Sequence, residues 1–357
     1  NNIIFDQLFN PPVQVRSVLP PIEKDQLQPA HDWFVSMGWV PFPFQKEAWQ
    51  SYLAGHNGLI NAPTGSGKTY SLLVPILLET NLSKSKLPRG PIAIWLTPIR
   101  ALSKEIYLAA DKAVAGLGSH WRVAVRSGDT KPNERSKQKT SPPHLLITTP
   151  ESLHVLMAQK GYEDYFKNLR VVVADEWHEL MGSKRGVQVE LALSRLKKIA
   201  PGLKVWGISA TIGNMDQSLQ VLLGDYYQQK RYKFIRSEIR KETEIHAILP
   251  DAIERLPWTG HVGAHLLSKV IPIVKASNST LIFTNTRSFA EIWYQKMLAA
   301  APELSGLIAM HHGSISQELR NWVEDQLHKG KIKAVVCTSS LDLGVDFRPV
   351  ETVIQIG

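Results

Sequence analysis

Short apolar runs alternate with longer amphipathic stretches along much of the chain. Six of these runs lie at 58–62, 92–97, 123–127, 145–149, 171–175 and 205–209. Runs that are apolar at nearly every position are typical of parallel strands, because a parallel sheet is covered on both faces. The stretches between them, such as TYSLLVPILLET and VQVELALSRLKKIA, predict the crossover helices of βαβ units. The pattern therefore predicts an α/β domain with a parallel sheet.

The pattern weakens in residues 225–262, where charged and aromatic residues mix without a clear crossover unit. Apolar runs then resume and predict a second α/β unit; they lie at 280–284, 307–311, 334–338 and 352–356. The beginning of the chain is rich in proline, which favours an extended arm over a packed element. We therefore expect an N-terminal arm at 1–30, a first domain at 31–236, a linker at 237–262 and a second domain at 263–357.

Composition narrows the class of protein. The chain has 357 residues, of which 43% are hydrophobic and 20% charged, so it can form two cores and is neither disordered nor fibrous. Its one cysteine, Cys337, excludes an intrachain disulfide and favours a reducing compartment. The sequence shows no apolar run long enough to cross a membrane and no secretory signal. We therefore expect a cytoplasmic protein that does not bind membranes.

The charge balance suits a polyanionic partner. The net charge is +9 and the isoelectric point is about 9.4, which is compatible with nucleic-acid binding without proving it. The chain also lacks an initiator methionine and stops in what reads as a buried strand. We therefore expect it to be a fragment of a longer protein.

The first candidate for chemistry is the segment APTGSGKT at 62–69, between a predicted strand and a predicted helix. Glycines allow successive backbone N–H groups to point into one cavity, and the following helix adds positive potential. The residues expected to surround the phosphates are Thr64, Gly65, Ser66 and Gly67. Lys68 would reach the β- and γ-phosphates and Thr69 would bind Mg²⁺. The usual pattern begins with glycine, whereas this one begins with Ala62.

Two adjacent carboxylates end the predicted strand at 171–175. Asp175 would hold Mg²⁺ through water, and Glu176 would orient or deprotonate the water that attacks the phosphate. Trp177 is interpreted as a packing residue, and His178 fits either a functional residue or an ordinary surface imidazole. Together with Lys68, the two carboxylates form the predicted catalytic set.

These segments, in their order and spacing, resemble the motifs of DExH-type helicases of superfamily 2. The segments concerned are the phosphate loop, ADEWH at 174–178, SAT at 209–211 and TSSLDLGVDF at 338–347. Longer stretches, among them WLTPIRALSKEI, TTPESLHVLMAQKG and HHGSIS, are similar to the Lhr (large helicase-related) family, especially its branch of ligase-associated DNA helicases. The resemblance implies a P-loop NTPase fold of two RecA-like domains, the second ending before its last helicase motif.

The resemblance also implies roles at a shared ATP site. Gln45 would read the adenine edge, since an amide both donates and accepts hydrogen bonds. Gly344 and Asp346 would approach the nucleotide from the second domain. His178, Ser209 and Thr211 would couple the ATP site to the nucleic-acid side. An arginine motif expected beyond Gly357 is not in the sequence, so we expect this chain to bind ATP and hydrolyse it poorly.

Loops at the carboxyl ends of parallel strands meet at one edge of a sheet, where they can hold successive phosphates. In the first domain the resemblance assigns this role to Arg100, Lys104, Ser127, Gly128 and Thr149. In the second domain it assigns the role to Thr284, Arg287, Ser314, Thr338 and Ser339. The basic segment at 129–143 is interpreted as a solvated loop, with a DNA clamp as the alternative.

The function implied by the resemblance is that of an ATP- and Mg²⁺-dependent DNA helicase that moves 3′ to 5′ on single-stranded DNA. A role in DNA repair and contact with ligase-associated proteins would follow from the same family. Two alternatives remain open. An RNA remodeller would share every motif, because only contacts to 2′-hydroxyls separate RNA from DNA along the backbone. A nucleotide-switched binding scaffold would keep the fold without unwinding.

Overall fold

The chain forms two parallel β-sheets with helices on their faces. The computed structural model describes residues 24–83, 86–211, 213–239, 243–249, 266–338, 341 and 350–356. Two turns of 3₁₀-helix lie at Lys24–Leu27 and Pro302–Leu304. The two α/β units predicted from the apolar runs are therefore confirmed.

The strands of the first sheet pair in the order β3-β4-β2-β5-β6-β1-β7, and every neighbouring pair is parallel. Within the described residues these strands are β1 Asn57–Asn61, β2 Ala93–Leu96, β3 Val123–Arg126, β4 Leu145–Thr148, β5 Val171–Ala174, β6 Lys204–Ser209 and β7 Tyr232–Arg236. Because all strands run the same way, the segments that follow them emerge at one edge of the sheet, which is where ligands bind in open α/β sheets.

Helices cover both faces of this sheet. Within the described residues they are α1 Gln28–Ser36, α2 Pro43–Leu53, α3 Tyr70–Ser83, α4 Arg100–Gly116, α5 Pro132–Thr140, α6 Pro150–Met157, α7 Tyr162–Phe166, α8 Trp177–Leu180, α9 Lys184–Ile199, α10 Met215–Leu223 and α11 Asp225–Gln228. Successive residues of a strand face opposite sides. Trp95 accordingly packs in one core cluster, whereas Ile94 and Leu96 pack in another. Both faces are buried, which explains the uninterrupted apolar runs.

The second sheet is smaller and follows the same plan. Its strands pair in the order β11-β8-β10-β9, and all pairs are parallel. Its described elements are α12 Leu267–Ala276, β8 Thr280–Thr284, α13 Arg287–Ala300, β9 Ile308–His311, α14 Gln317–His328, β10 Ala334–Cys337 and β11 Thr352–Ile356. Among the helices of the described residues, none combines the length and the apolar composition of a transmembrane span.

Three segments differ from the sequence-based expectation. Residues 24–30 were expected in an extended arm, but they are helical and Ala30 is fully buried, since proline is tolerated in a first helical turn. The segment at 129–143 was expected to be a loop, but it contains α5, whose polar residues give no apolar stripe. Strand β7 has no apolar run in its sequence because charged residues interrupt it, as is usual at a sheet edge.

His144, which immediately precedes β4, makes the stability of this fold depend on pH. Its side chain is buried, and its Nδ1 accepts the backbone N–H of Arg122 at 2.9 Å. Burial, assisted by the positive charge of Arg122, lowers the pKa of His144 to about 4. In the unfolded chain the imidazole of His144 becomes protonated near pH 6.5, whereas in the folded chain it becomes protonated only near pH 4.

We expect the folded first domain to lose stability as the pH falls from 6.5 towards 4, by up to about 1.4 kcal/mol per pH unit from this group. Substitution His144→Asn keeps an acceptor for Arg122 and removes the titration. Thermal unfolding at pH 7 and pH 5 should show a smaller drop in midpoint for this variant than for the wild type. Exposed His120 provides the control, because His120→Asn should leave the drop unchanged. Equal drops in all three proteins would contradict the assignment.

Candidate nucleotide and nucleic-acid site

The phosphate loop follows β1 and leads into α3. Ala62 continues the sheet through a hydrogen bond from its N–H to the carbonyl of Ser209 at 3.0 Å. Gly65 and Gly67 have φ angles of +77° and +71°, in the left-handed region that side chains other than hydrogen disfavour. The hydroxyl of Ser66 donates to the carbonyl of Pro63 at 2.6 Å. The loop is thus a compact turn at the N-terminus of a helix, which is a favourable place for phosphate.

The predicted cradle residues differ in exposure. Thr64 and Gly65 are exposed, whereas Ser66 and Lys68 are largely buried. The carbonyl of Thr69 accepts hydrogen bonds from the N–H groups of Leu72 and Leu73 in the first turn of α3. Thr69 is therefore fixed at the helix start.

Lys68 and Glu176 form a buried ion pair at the centre of the site. Lys68 Nζ lies 2.5 Å from Glu176 Oε1, and the two side chains are 9% and 12% exposed. Glu176 has a φ of +44°, a strained value for a residue other than glycine. Its Oε2 is buried and, within the described residues, accepts no hydrogen bond. A strained carboxylate with a free buried oxygen is typical of a functional position.

Asp175 lies beside this pair and is held from two sides. Trp95 Nε1 donates to its Oδ2 at 3.0 Å, and the N–H of Glu176 donates to its Oδ1 at 2.9 Å. Burial raises the pKa of Asp175 to about 6, and the negative charge of Glu176 adds to this effect while Lys68 opposes it. The sequence did not single out Trp95, since an indole in an apolar strand looks like any other core residue.

His178 connects this centre with the end of β6. Its Nδ1 lies 3.5 Å from Glu176 Oε2 and 2.9 Å from Ser209 Oγ. Ser209 is fully buried, and its hydroxyl donates to the carbonyl of Thr211 at 2.9 Å. That bond uses the one hydroxyl proton, so Ser209 accepts from His178 Nδ1. The three residues predicted to act together in coupling therefore lie in one chain of contacts.

Gln45 is buried at the first turn of α2, and both ends of its amide are engaged. Its Oε1 accepts the N–H of Phe42 and its Nε2 donates to the carbonyl of Gly67, each at 2.9 Å. A side-chain carbon on Gly67 would come within 3.0 Å of that Nε2. Gln45 thus joins α2 to the phosphate loop, and its amide keeps a second acceptor site on Oε1 and a second N–H on Nε2 for a further partner such as adenine.

The residues predicted to hold nucleic acid in the first domain fall into two places. Gly128 and Thr149 line a surface cavity of about 450 Å³ at the carboxyl ends of the strands. Lys104 instead lies in a groove of about 690 Å³ beside β3. Ser127 is largely buried, and its N–H donates to Thr130 Oγ1 at 2.9 Å. The side chain of Arg100 lies outside the described residues.

In the second domain the predicted residues cluster at the carboxyl ends of β8, β9 and β10. Arg287 Nη1 donates to Ser314 Oγ at 2.5 Å. Thr284 is buried and its hydroxyl donates to the carbonyl of Cys337 at 3.2 Å. The N–H of Thr338 donates to the carbonyl of His311 at 3.3 Å. The predicted residues Ser339, Gly344 and Asp346 lie outside the described part of the chain.

One residue at this edge gave no signal in the sequence. Arg185, in the first turn of α9, donates from Nε to Glu151 Oε1 at 2.7 Å and from Nη1 to the carbonyl of Pro98 at 2.9 Å. Nothing in the residue pattern distinguishes it from a solvated arginine on a polar helix face.

Comparison with known proteins agrees with this geometry. The DEAD/DEAH box helicase family matches residues 42–218, and the helicase conserved C-terminal domain matches residues 264–357. An ATP-dependent helicase Lhr-Core from Methanothermobacter thermautotrophicus is 32% identical over 96% of this chain and 41% of its own length. The chain belongs to the Lhr-type DEAD/DEAH box helicases. Its resemblance to superfamily 2 helicases and to Lhr proteins is thereby confirmed.

Relatives with similar coverage support the same placement. Another Lhr-Core helicase, from Methanocaldococcus jannaschii, is 34% identical over 92% of this chain and 40% of its own length. The solved structure of Mycobacterium smegmatis helicase Lhr, bound to single-stranded DNA and AMP-PNP, is 31% identical with a TM-score of 0.74. It covers 92% of this chain and 43% of that protein. The chain thus spans about two fifths of the length of these relatives. The expectation of two RecA-like domains is confirmed.

Proposed function

We propose that this chain is the ATP-hydrolysing part of a DNA helicase that moves along single-stranded DNA. The observation that carries the proposal is the buried Lys68–Glu176 pair, with Asp175 beside it, at the carboxyl edge of a parallel sheet. Transfer of a phosphoryl group to water needs a phosphate cradle, a ligand for Mg²⁺ and a base or orienting group for the water. The DNA and nucleotide analogue bound to the M. smegmatis relative support both ligands.

The ion pair suggests an order of events. Within the protein, the ammonium group of Lys68 lies against Glu176. A triphosphate in the cradle competes for that ammonium group, because its oxygens carry several negative charges. When Lys68 turns towards the phosphates, Glu176 is released to accept a hydrogen bond from water and then its proton. Nucleotide binding would therefore both fill the cradle and free the base.

Thr69 and Asp175 are the residues that would hold Mg²⁺, through a hydroxyl and through water respectively. Both offer oxygen, which is the donor that Mg²⁺ prefers. The described residues contain no cluster of three or more His, Cys, Asp or Glu side chains that could bind a metal ion unaided. The nucleotide would therefore supply the remaining ligands of the ion, and the ion would neutralise part of the charge of the phosphates.

The contacts of His178 offer a route from hydrolysis to movement. His178 lies between Glu176 and Ser209, and Ser209 contacts Thr211 beyond the end of β6. A change at Glu176 would alter the hydrogen bond between His178 and Ser209 and hence the position of the segment that follows. Hydroxyl groups exchange partners readily, which suits such a relay.

Stimulation of ATP turnover by nucleic acid, measured on the full-length protein, tests the function. We expect single-stranded DNA to increase phosphate release by the protein, and an RNA of matched sequence to increase it less. A response to RNA alone would assign the protein to RNA remodelling instead. Nucleotide binding without turnover under either condition would support the scaffold alternative.

Direction and pathway rest on the family resemblance. We propose movement from 3′ to 5′, a role in DNA repair with ligase-associated proteins, and a cytoplasmic location. Strand separation of duplexes that carry a single-stranded tail at either the 3′ or the 5′ end measures the direction. Preference for the 5′ tail would contradict the proposed polarity.

A further inference from the structure

Arg185 bridges a loop and the start of a helix at the edge of the first sheet. The loop contains Pro98 and follows β2, and the helix is α6, which follows β4, the neighbour of β2, and has Glu151 in its first turn. The guanidinium reaches both, with N–O distances of 2.9 Å to the carbonyl of Pro98 and 2.7 Å to Glu151 Oε1. A planar group with fixed donor directions is suited to hold two acceptors at once.

The start of α9 is well placed to carry this bridge. Ser183 caps the helix by accepting the N–H of Gly186 at 3.2 Å. A side-chain carbon on Gly186 would lie 2.3 Å from the carbonyl oxygen of Leu180, so glycine allows the helix start to pack against α8. Arg185 is therefore fixed relative to the segment that begins with Glu176.

Glu151 lies where a carboxylate is unfavourable for the proposed ligand. The cavity of about 450 Å³ contains Glu151 and Arg185 together with the phosphate-track candidates Gly128 and Thr149. The Glu151 side chain is 47% exposed, so its charge acts on whatever enters the cavity. A phosphate backbone in this place would be repelled by an unpaired carboxylate.

Protonation does not remove that charge near neutral pH. Burial by itself raises the pKa of Glu151, but hydrogen bonds from its own backbone, Arg185 and Thr149 outweigh burial and lower the pKa. Nor does stability explain the pair, since ion pairs with this exposure contribute about 0–1 kcal/mol to folding. The pairing of Arg185 with Glu151 therefore acts locally: it makes the electrostatic potential in the cavity less negative.

We propose that Arg185 is a positioning residue for nucleic-acid binding: it pairs with Glu151 and so neutralises the charge that would otherwise repel a phosphate backbone in this cavity. The inference rests on the proposed function, because it assumes that a phosphate backbone occupies this cavity. It assigns to Arg185 an effect that acts through Glu151, without a direct contact between the guanidinium and a phosphate.

Binding of a fluorescently labelled single-stranded thymidine oligonucleotide, measured over a series of salt concentrations, tests this role. We expect Arg185→Gln to weaken binding by about tenfold, because one unpaired negative charge then faces the phosphates. The double variant Glu151→Gln with Arg185→Gln should bind within about threefold of the wild type, since the repelling charge is gone. Arg195→Gln, which removes an exposed arginine from the same helix beside Tyr162, should bind like the wild type.

The variants separate this inference from the alternatives. If Arg185 contacted a phosphate directly, the double variant would still bind weakly. The slope of the logarithm of the binding constant against the logarithm of salt concentration would also become shallower by about one. Glu151→Gln alone should bind as tightly as the wild type or more tightly, and weaker binding would overturn the proposal. Unchanged binding by Arg185→Gln would overturn it as well. A wild-type protein that binds no oligonucleotide would instead refute the proposed function itself.

Discussion

Substitution of Glu176 by glutamine is expected to reduce nucleic-acid-stimulated ATP hydrolysis by about a thousandfold, because a positioned general base contributes roughly 10²–10⁴ to such a step. The amide has nearly the shape of the carboxylate but cannot accept a proton from water. It also ends the ion pair with Lys68, so the ammonium group becomes available to the phosphates. ATP should therefore bind at least as tightly to this variant as to the wild type.

Phosphate release and binding of a fluorescent ATP analogue, measured on the same preparation, separate the two effects. Glu190→Gln is the matched control, since Glu190 is exposed on α9; it should retain turnover within about twofold. Turnover by Glu176→Gln above about a tenth of the wild-type rate would show that another group activates the water. Loss of ATP binding would show that Glu176 shapes the cradle.

Residue pattern alone was enough for the buried strands and the phosphate loop. Strands β2, β4 and β5 are buried at every position, and apart from Thr148 all their residues are apolar. The loop at 62–69 was visible because glycines with positive φ leave few residue types possible. Burial along a strand and the backbone geometry of a tight loop both restrict consecutive residues, so both can be recognised in the sequence.

Elements that depend on distant partners were not visible in the same way. Helix α5 has little apolar surface, and its buried Gln138 is fixed by a hydrogen bond to the carbonyl of Val125 on β3. Strand β7 is held in the sheet by its parallel pairing with β1, which is remote in sequence. Arg185 is significant only because folding brings Glu151 and Pro98 to it. In each case the decisive partner is remote in sequence.

The catalytic centre combines both kinds of information. Asp175 and Glu176 were expected from sequence to serve as Mg²⁺ ligand and base. The strain at Glu176, the indole bond from Trp95 and the pairing with Lys68 come from the fold. Two adjacent buried carboxylates are unfavourable unless a cation is near. Lys68 therefore stabilises the protein itself, apart from any role towards phosphate.

The second large effect follows from that pairing. We expect Lys68→Ala to lower the free energy of unfolding of the nucleotide-free protein by about 3 kcal/mol at pH 8, because it leaves a buried charge unpaired. The midpoint of the first thermal transition should fall by about 6–12 °C. The same variant should fail to hydrolyse ATP, so stability and turnover are lost together but for separable reasons.

The dependence on pH identifies the cause. Asp175 has a raised pKa in the folded protein, about 6 against a usual 3.8, so its contribution to stability falls as the pH rises through this window. Lys68 lowers that pKa, and its removal extends the window upward. The loss in Lys68→Ala should therefore be larger at pH 8 than at pH 5. Lys198→Ala, at an exposed position on α9, should show no such difference.

A second substitution then separates charge from packing. In Lys68→Ala combined with Glu176→Gln, one of the two adjacent carboxylates is neutral, so most of the lost stability at pH 8 should return while ATP hydrolysis stays absent. If the double variant were no more stable than Lys68→Ala, the loss would stem from the missing side-chain contacts of Lys68. In that case the ion pair would be a consequence of how the loop folds. It could not prevent Glu176 from acting as a base before a triphosphate binds.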